Sequence, residues 1–188
     1  PSYIQKVVSQ NLHGLSTPDM IIISNGNFMQ AAEELKFFHE SDGLLVHIVT
    51  DQQIFNEFSS GMRDATVIKQ FLRMFYVREN GSPQHIPKYC LLMGDGTYDN
   101  RNILGHGNNL LPVFESAESL VKVNTYATDD YFAILSDGGA MLNTDLLNIA
   151  IGRLTVSTQQ EAMDVVRKIK HYQTIDTLNN AVGCSINS

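Results

Sequence analysis

The chain has 188 residues, of which 43% are hydrophobic and 18% charged, a composition typical of one globular domain with a substantial core. Its 20 acidic and 13 basic side chains give a formal net charge of −7, which argues against nucleic-acid binding, since that requires clustered Lys and Arg. The longest apolar run, Met20 to Ile23, is far too short to span a membrane. Two cysteines, Cys90 and Cys184, are too few for a disulfide framework.

Short buried apolar runs alternate along the chain with stretches that have the apolar spacing of helices. Because parallel strands need crossover connections, this alternation predicts an α/β fold: a mostly parallel sheet of about four strands with helices on both faces. In chain order the predicted elements are a strand at residues 19–24, a helix at 29–40, a strand at 44–49, a helix at 64–77, strands at 88–93 and 147–151, and a helix from Ser157.

Turn and capping residues mark the connections between these elements. Residues 54–60 predict a loop or a short helical turn, with Thr50-Asp51 available to cap it. Residues 97–124 are rich in Asn and Gly and form the longest irregular stretch. Residues 126–135 predict one arm of a short β hairpin, with its turn near residues 136–139.

The last strand and the last helix have boundary signals of their own. Gly152-Arg153 follows the strand at residues 147–151 and is expected to end it. Ser157 and Gln160 have the spacing of a capping box, which predicts the start of the last helix.

These patterns divide the chain into three parts. Residues 1–18 form a polar N-terminal arm with a short strand at residues 3–8, residues 19–175 form the α/β subdomain, and residues 176–188 form a polar tail left by truncation or cloning. Because the sequence begins at Pro1 rather than at a methionine, we interpret it as a piece of a longer protein.

Four aspartates lie near predicted strand ends, where ligands bind in open α/β sheets: Asp95, Asp99, Asp129 and Asp130. Carboxylates and backbone carbonyls are the ligands that Ca²⁺ prefers, although the spacing here is not that of an EF-hand loop. Aspartates at such positions also hydrogen-bond turns and cap helices. A calcium site and a purely structural role are therefore both open.

A second candidate is a pair formed by Cys90 and His106. His106 lies between two glycines and is accessible, and a thiol with a neighbouring imidazole can act as nucleophile and base. Cys90, however, lies in a predicted buried strand, where an unpaired cysteine usually serves as a small apolar residue. A complete small hydrolase and an inert buried cysteine are the two alternatives.

Three segments resemble the gingipain-type cysteine peptidases, in particular the branch that serves type IX secretion, over roughly residues 18–175. The first is Ile54-Phe-Asn-Glu-Phe-Ser-Ser-Gly61 with the helix after it. The second is Tyr89-Cys-Leu-Leu-Met-Gly-Asp-Gly-Thr-Tyr-Asp99 with Pro112-Val-Phe-Glu-Ser116. The third is Thr128-Asp-Asp-Tyr-Phe132 with Ile149-Ala-Ile-Gly-Arg-Leu154 and the last helix.

The resemblance implies a caspase-like fold of two α/β subdomains, of which this chain is the N-terminal subdomain. In the family the catalytic His and Cys lie in the second subdomain, so no residue of this chain inherits a catalytic role, and the fragment is expected to be inactive. The parent is implied to be a cysteine endopeptidase and transpeptidase at the cell surface, associated with the outer membrane. Its implied partners are the downstream catalytic subdomain, secreted cargo and other type IX secretion components.

The resemblance also implies structural calcium, carried over to Asp95 of the Gly-Asp turn and to Asp137 in the loop before the Ile-Gly-Arg strand. That loop, residues 136–147, is longer here than in the family. An alternative to the peptidase subdomain is a standalone α/β protein-binding module with a structural calcium site.

Overall fold

A computed structural model describes residues 9–82, 85–107, 109–116, 120–121, 125–138 and 145–181, the side chains of the last segment up to residue 174. The predicted strand at residues 3–8, the end of the tail and Cys184 lie outside the described residues. No described helix is long and apolar enough to cross a lipid bilayer.

Six strands and five helices are present in the described part of the chain. The strands are β1 (Met20–Ser24), β2 (Val46–Thr50), β3 (Tyr89–Met93), β4 (Phe114–Glu115), β5 (Ala127–Thr128) and β6 (Ala150–Leu154). The helices are α1 (Met29–Ser41), α2 (Asp51–Phe58), α3 (Thr66–Arg78), α4 (Asp130–Ala133) and α5 (Gln159–Ala181). Helix α5 runs past residue 175, where the predicted subdomain ends.

A four-stranded parallel sheet in the order β2-β1-β3-β6 forms the centre of the fold. In each pair of neighbouring strands, all five residues of one strand pair with all five of the other. Ile22 of β1 therefore lies between Ile48 of β2 and Leu91 of β3. Strand β1 is buried along its whole length, which explains its unbroken apolar sequence. The predicted parallel sheet with helices on both faces is confirmed.

Alternate residues of the strands supply two separate cores, one on each face of the sheet. Helices α1 and α5 cover one face, where Leu35 and Val166 pack with Ile22. Helices α2, α3 and α4 cover the other, where Phe71 and Phe132 pack with Cys90, Leu92 and others. Each face of the central strands is therefore covered by helices.

Three predicted boundaries are wrong in detail. The strand predicted at residues 147–151 begins three residues later, at Ala150, and continues through Gly152 and Arg153 to Leu154. The hairpin arm predicted at residues 126–135 is wrong: only Ala127–Thr128 form a strand, which pairs antiparallel with β4 upstream, and the residues after it form the short helix α4. The predicted turn at residues 136–139 lies partly outside the described residues. Helix α5 is capped by Thr158 and Glu161 instead of Ser157 and Gln160, since the Glu161 carboxylate accepts from the Thr158 N–H and the Thr158 hydroxyl accepts from the Glu161 N–H.

Candidate functional site

The carboxyl ends of the strands meet at a buried arginine, Arg153 of β6, whose side chain is 7% exposed. Its Nη1 donates to the carbonyl oxygens of Gly94 (2.9 Å) and Leu111 (3.0 Å). Its Nη2 donates to the carbonyl of Pro112 at 2.9 Å. Nε and Nη2 bind the two oxygens of the Asp129 carboxylate at 2.8 and 2.7 Å. All five N–H donors of the guanidinium are thereby used.

This arrangement brings together motifs that are far apart in the sequence. Gly94 belongs to the Gly-Asp turn, Pro112 to the segment that follows the irregular loop, Asp129 to the Thr-Asp-Asp segment and Arg153 to Ile-Gly-Arg. A guanidinium holds planar, fixed hydrogen bonds that a lysine ammonium cannot reproduce. Arg153 therefore acts as an internal cation that fastens three loops to the end of the sheet.

Two glycines make the turn after β3 possible. Gly94 has a φ of +146°, which side chains rarely tolerate. A Cβ on Gly96 would lie 2.7 Å from the carbonyl oxygen of Leu111 and 2.6 Å from a methyl carbon of Val113. The Asp95 backbone between them accepts from the Leu111 N–H (2.9 Å) and donates to the carbonyl of Val156 (2.9 Å). The backbone of this turn thus packs directly against the backbone at Leu111 and Val156.

The four aspartates singled out from the sequence do not form one cluster. Asp129 binds Arg153, and the Asp99 carboxylate accepts from the N–H groups of Ile103 and Leu104, both at 2.7 Å. Asp95 accepts from the N–H of Gly96 (2.9 Å). For Asp99 and Asp129 the structure therefore shows turn and ion-pair roles.

The two aspartates with an implied calcium role lie at opposite ends of the sheet, so they cannot share one ion. Asp95 follows the carboxyl end of β3, whereas Asp137 lies in the loop before β6, is 96% exposed and forms an ion pair with Arg73. No group of three or more His, Cys, Asp or Glu side chains within the described residues could hold a metal ion. A calcium ion at either aspartate would therefore take most of its ligands from carbonyl oxygens and water, and at Asp137 it would displace Arg73.

Cys90 and His106 are not brought together. Cys90 is the second residue of β3, 3% exposed, and its side chain belongs to the core under α3. His106 lies in the exposed loop beyond the opposite end of that strand. Burial, with a smaller contribution from the Asp129 charge, raises the pKa of the Cys90 thiol far above its ordinary value. Because the thiolate is the reactive form, Cys90 is inert.

A second histidine, His39, lines a cavity of about 510 Å³ together with Cys90, Leu91 and Gly152. That cavity lies on the α1 and α5 side of the sheet, whereas the Cys90 side chain is packed into the opposite core. No hydrogen bond joins a thiol to an imidazole in the described part of the chain. The cavity therefore contains no cysteine–histidine pair.

Sequence reasoning missed Arg153, which it treated as the end of a strand. One signal was available: an arginine in a buried strand needs a carboxylate, and Asp129 lay in a segment already assigned to the same end of the sheet. It also gave no role to Glu57 of the Phe-Asn-Glu-Phe segment. The Glu57 carboxylate accepts from the N–H groups of Leu12 and His13, both at 2.8 Å, and thus anchors the preceding chain to α2.

Comparison with known proteins places these features in a family. The model of peptidase family C25 matches residues 13–187. No curated protein matches the chain. Among solved structures, dimeric latent PorU from Porphyromonas gingivalis is 38% identical with a TM-score of 0.76, over 86% of this chain and 16% of the PorU chain. The chain thus spans about a sixth of the length of that relative, and it belongs to peptidase family C25, the gingipain family of cysteine peptidases.

Proposed function

We propose that this chain is the non-catalytic N-terminal subdomain of a cysteine peptidase domain, and that the nucleophilic Cys and its His are supplied by a catalytic subdomain downstream. The observation that carries the proposal is the state of Cys90. It is the one cysteine among the described residues, it is buried in a strand, and within those residues it forms no hydrogen bond with an imidazole. A structural role also fits the carboxyl end of the sheet, where the charges of Arg153 and Asp129 neutralise each other.

The edge of the sheet offers a place for the downstream subdomain. Strand β6 pairs with β3 on one side, and its other edge has no strand partner in the described residues. Ala150 and Gly152 of this strand are exposed, beside the 510 Å³ cavity that Tyr89 and Leu91 also line. Unpaired strand edges favour pairing with further chain. We therefore place the catalytic subdomain against β6.

For the parent protein we propose the role of a type IX secretion sortase at the cell surface, supported by the 38% identity to PorU over most of this chain. A cysteine thiolate would attack the peptide carbonyl that precedes the C-terminal sorting domain of a cargo protein. The sorting domain leaves with a proton on its new amine, and the cargo is held as a thioester. An amine of anionic lipopolysaccharide then takes the acyl group and frees the thiol.

The peptidase proposal is tested by comparing this chain with the parent protein that contains it. We expect the 188-residue chain to show no cleavage of a cargo peptide above the buffer rate. We expect the parent to cleave the peptide and to retain its activity in the variant Cys90→Ala, because that thiol is buried and un-ionised. Cleavage by the short chain, or loss of activity in a folded Cys90→Ala parent, contradicts the proposal.

We also propose structural calcium at Asp95 and Asp137, as two separate sites. Each site would be weak, since each has one carboxylate and the tightest calcium sites have several. We expect 10 mM Ca²⁺ to raise the melting temperature relative to a chelator, because a ligand of the folded state stabilises it. Asp95→Asn and Asp137→Asn should each reduce the rise, and Mg²⁺ should not replace Ca²⁺. An unchanged melting temperature would refute both sites.

A further inference from the structure

A polar pocket of about 330 Å³ lies at the carboxyl end of the sheet and is lined by two arginines and three asparagines. Arg63 reaches it from the connection between α2 and α3, and the remaining residues come from the loop after β3. The lining residues are Arg63, Asn100, Arg101, Asn102, Gly107 and Asn109. In open parallel sheets this end is where ligands bind.

The asparagine oxygens of the pocket are engaged within the loop. The Asn109 amide donates to the side-chain oxygen of Asn100 at 3.1 Å, and the Asn102 side-chain oxygen accepts from the N–H of Gly107 at 2.8 Å. Asn109 is 9% exposed, and its side-chain oxygen accepts from the N–H of Thr97. The asparagines therefore fix the shape of the pocket.

The groups left free in the pocket are donors. Arg101 has no hydrogen-bond or ion-pair partner in the described part of the chain, so its five N–H groups are available. Arg63 uses one end of its guanidinium for the carbonyl of Asn109 and lies over the Phe55 ring, 5.9 Å from its centre. The amide nitrogen of Asn102 has no hydrogen-bond partner among the described residues and is a further available donor. A pocket with free donors and two guanidinium groups fits an oxyanion.

Acidic side chains near the pocket reduce its positive charge, and the remaining charge indicates which kind of anion fits best. Asp51 interacts with the Arg63 charge and offsets part of it. The Glu115 carboxylate accepts from the Asn100 amide at 3.1 Å and adds a second negative charge beside the lining. The net positive charge is therefore small, which suits a singly charged, planar carboxylate better than a doubly charged phosphate.

We propose that the pocket lined by Arg63 and Arg101 binds the carboxylate of an acidic peptide segment. The guanidinium of Arg101 pairs with the two carboxylate oxygens, and the amide of Asn102 donates to the same group. The exposed rim, which includes Arg63 and Arg101, leaves the rest of the peptide free to extend along the surface. The site is independent of the catalytic role proposed above, because it uses only residues of this chain.

A titration of the 188-residue chain, followed by amide chemical shifts, tests the site. The probes are the blocked tripeptides acetyl-Gly-Asp-Gly-amide and acetyl-Gly-Asn-Gly-amide, and inorganic phosphate. We expect the aspartate peptide to bind, with the largest chemical-shift changes in residues 100–107. The asparagine peptide should bind with a Kd about tenfold higher, because it lacks the charge that strengthens the hydrogen bonds to Arg101. Phosphate should bind more weakly than the aspartate peptide.

Two surface variants make the test specific. Arg101→Gln should weaken binding of the aspartate peptide about tenfold with an unchanged melting temperature, because Arg101 has no partner within the described residues. Arg167→Gln removes another exposed arginine, on α5, and should leave binding unchanged. Equal binding of the two peptides, tighter binding of phosphate, or an unaffected Arg101→Gln variant would each overturn the proposal.

Discussion

Replacement of Arg153 by methionine is expected to lower the free energy of unfolding by about 3–5 kcal/mol, the usual cost of breaking a buried ion pair from one side. The substitution leaves the Asp129 carboxylate without its cation. It also leaves the carbonyl oxygens of Gly94, Leu111 and Pro112 without donors in a region from which water is largely excluded. Because a domain of this size is stable by only about 5–15 kcal/mol, the effect is large. Urea denaturation followed by circular dichroism measures it.

The variant Arg153→Lys separates the effect of the positive charge at residue 153 from the effect of the hydrogen bonds that the guanidinium makes. The ammonium keeps the positive charge near Asp129 but has three donors in place of five, so at least two acceptors lose a partner. We expect a loss of about 2–3 kcal/mol for this variant, between wild type and Arg153→Met. A lysine that restores full stability would show that charge alone holds the loops.

A matched control is the exposed ion pair of Arg167 and Asp164 on α5, where both side chains are more than half exposed. Arg167→Gln should change the free energy of unfolding by less than about 0.5 kcal/mol, because exposed pairs contribute little.

The double variant Arg153→Met with Asp129→Leu should recover part of the loss, since it removes the unpaired carboxylate but not the unpaired carbonyls. A loss under about 1 kcal/mol in Arg153→Met would contradict the structural role.

The parallel sheet could be predicted because its strands carry their own signal. In β1 the residues Met20 to Ile23 are buried from both faces, and a short run rich in Ile with Asn-Gly after it is typical of a covered parallel strand. The end of β6 could not be read in the same way, since Gly152 and Arg153 resemble a strand terminus. Arg153 remains in the strand because its donors are satisfied by loops that are distant in sequence.

The failed hairpin has a similar cause. The residues Ala127 and Thr128 do form a strand, but they pair with Phe114 and Glu115, across a connection of 11 residues. Pairing between segments that are 11 residues apart leaves no two-residue turn signal in the sequence. Helix α4 then begins at Asp130, where a continuing strand had been predicted.

The candidate site was predicted in position but not in role. The Gly94-Asp95 turn and Asp129 were placed correctly at the carboxyl end of the sheet. Asp129 was considered as a calcium ligand, yet it binds an arginine 24 residues away. A carboxylate at a strand end is equally suited to a metal ion and to a guanidinium, and the sequence does not say which cation is nearby.

Replacement of Glu57 by glutamine is expected to release the segment that precedes β1 from helix α2. Partial burial of Glu57 opposes its ionisation, but the N–H groups of Leu12 and His13 and the side chains of His13 and Gln10 outweigh this and lower its pKa to about 2. The His13 ring also stacks on Phe58, with ring centres 4.6 Å apart. The carboxylate thus holds this segment through several contacts at once.

The expected loss in Glu57→Gln is about 2 kcal/mol at pH 7, less than the full pKa change implies because solvent near the surface screens the carboxylate. The amide N–H groups of Leu12 and His13 should exchange with solvent faster in the variant, since glutamine binds them less strongly than a carboxylate does. Glu33→Gln, a change at an exposed position of α1, is the control and should alter neither quantity.

The pH dependence of this difference follows from the direction of the pKa change. The pKa of Glu57 is about 2 in the folded chain and 4.5 when the carboxyl group is unperturbed, so the unfolded chain binds its proton first as the pH falls. The stabilisation is therefore complete above pH 4.5 and declines as the pH falls from 4.5 towards 2. Urea denaturation of wild type and Glu57→Gln at pH 7, 4 and 3 should show the two free energies of unfolding converge. A difference that stays constant down to pH 3 would mean that Glu57 acts through packing, because a carboxylate held by charge loses stabilisation as the unfolded chain takes up the proton over that interval.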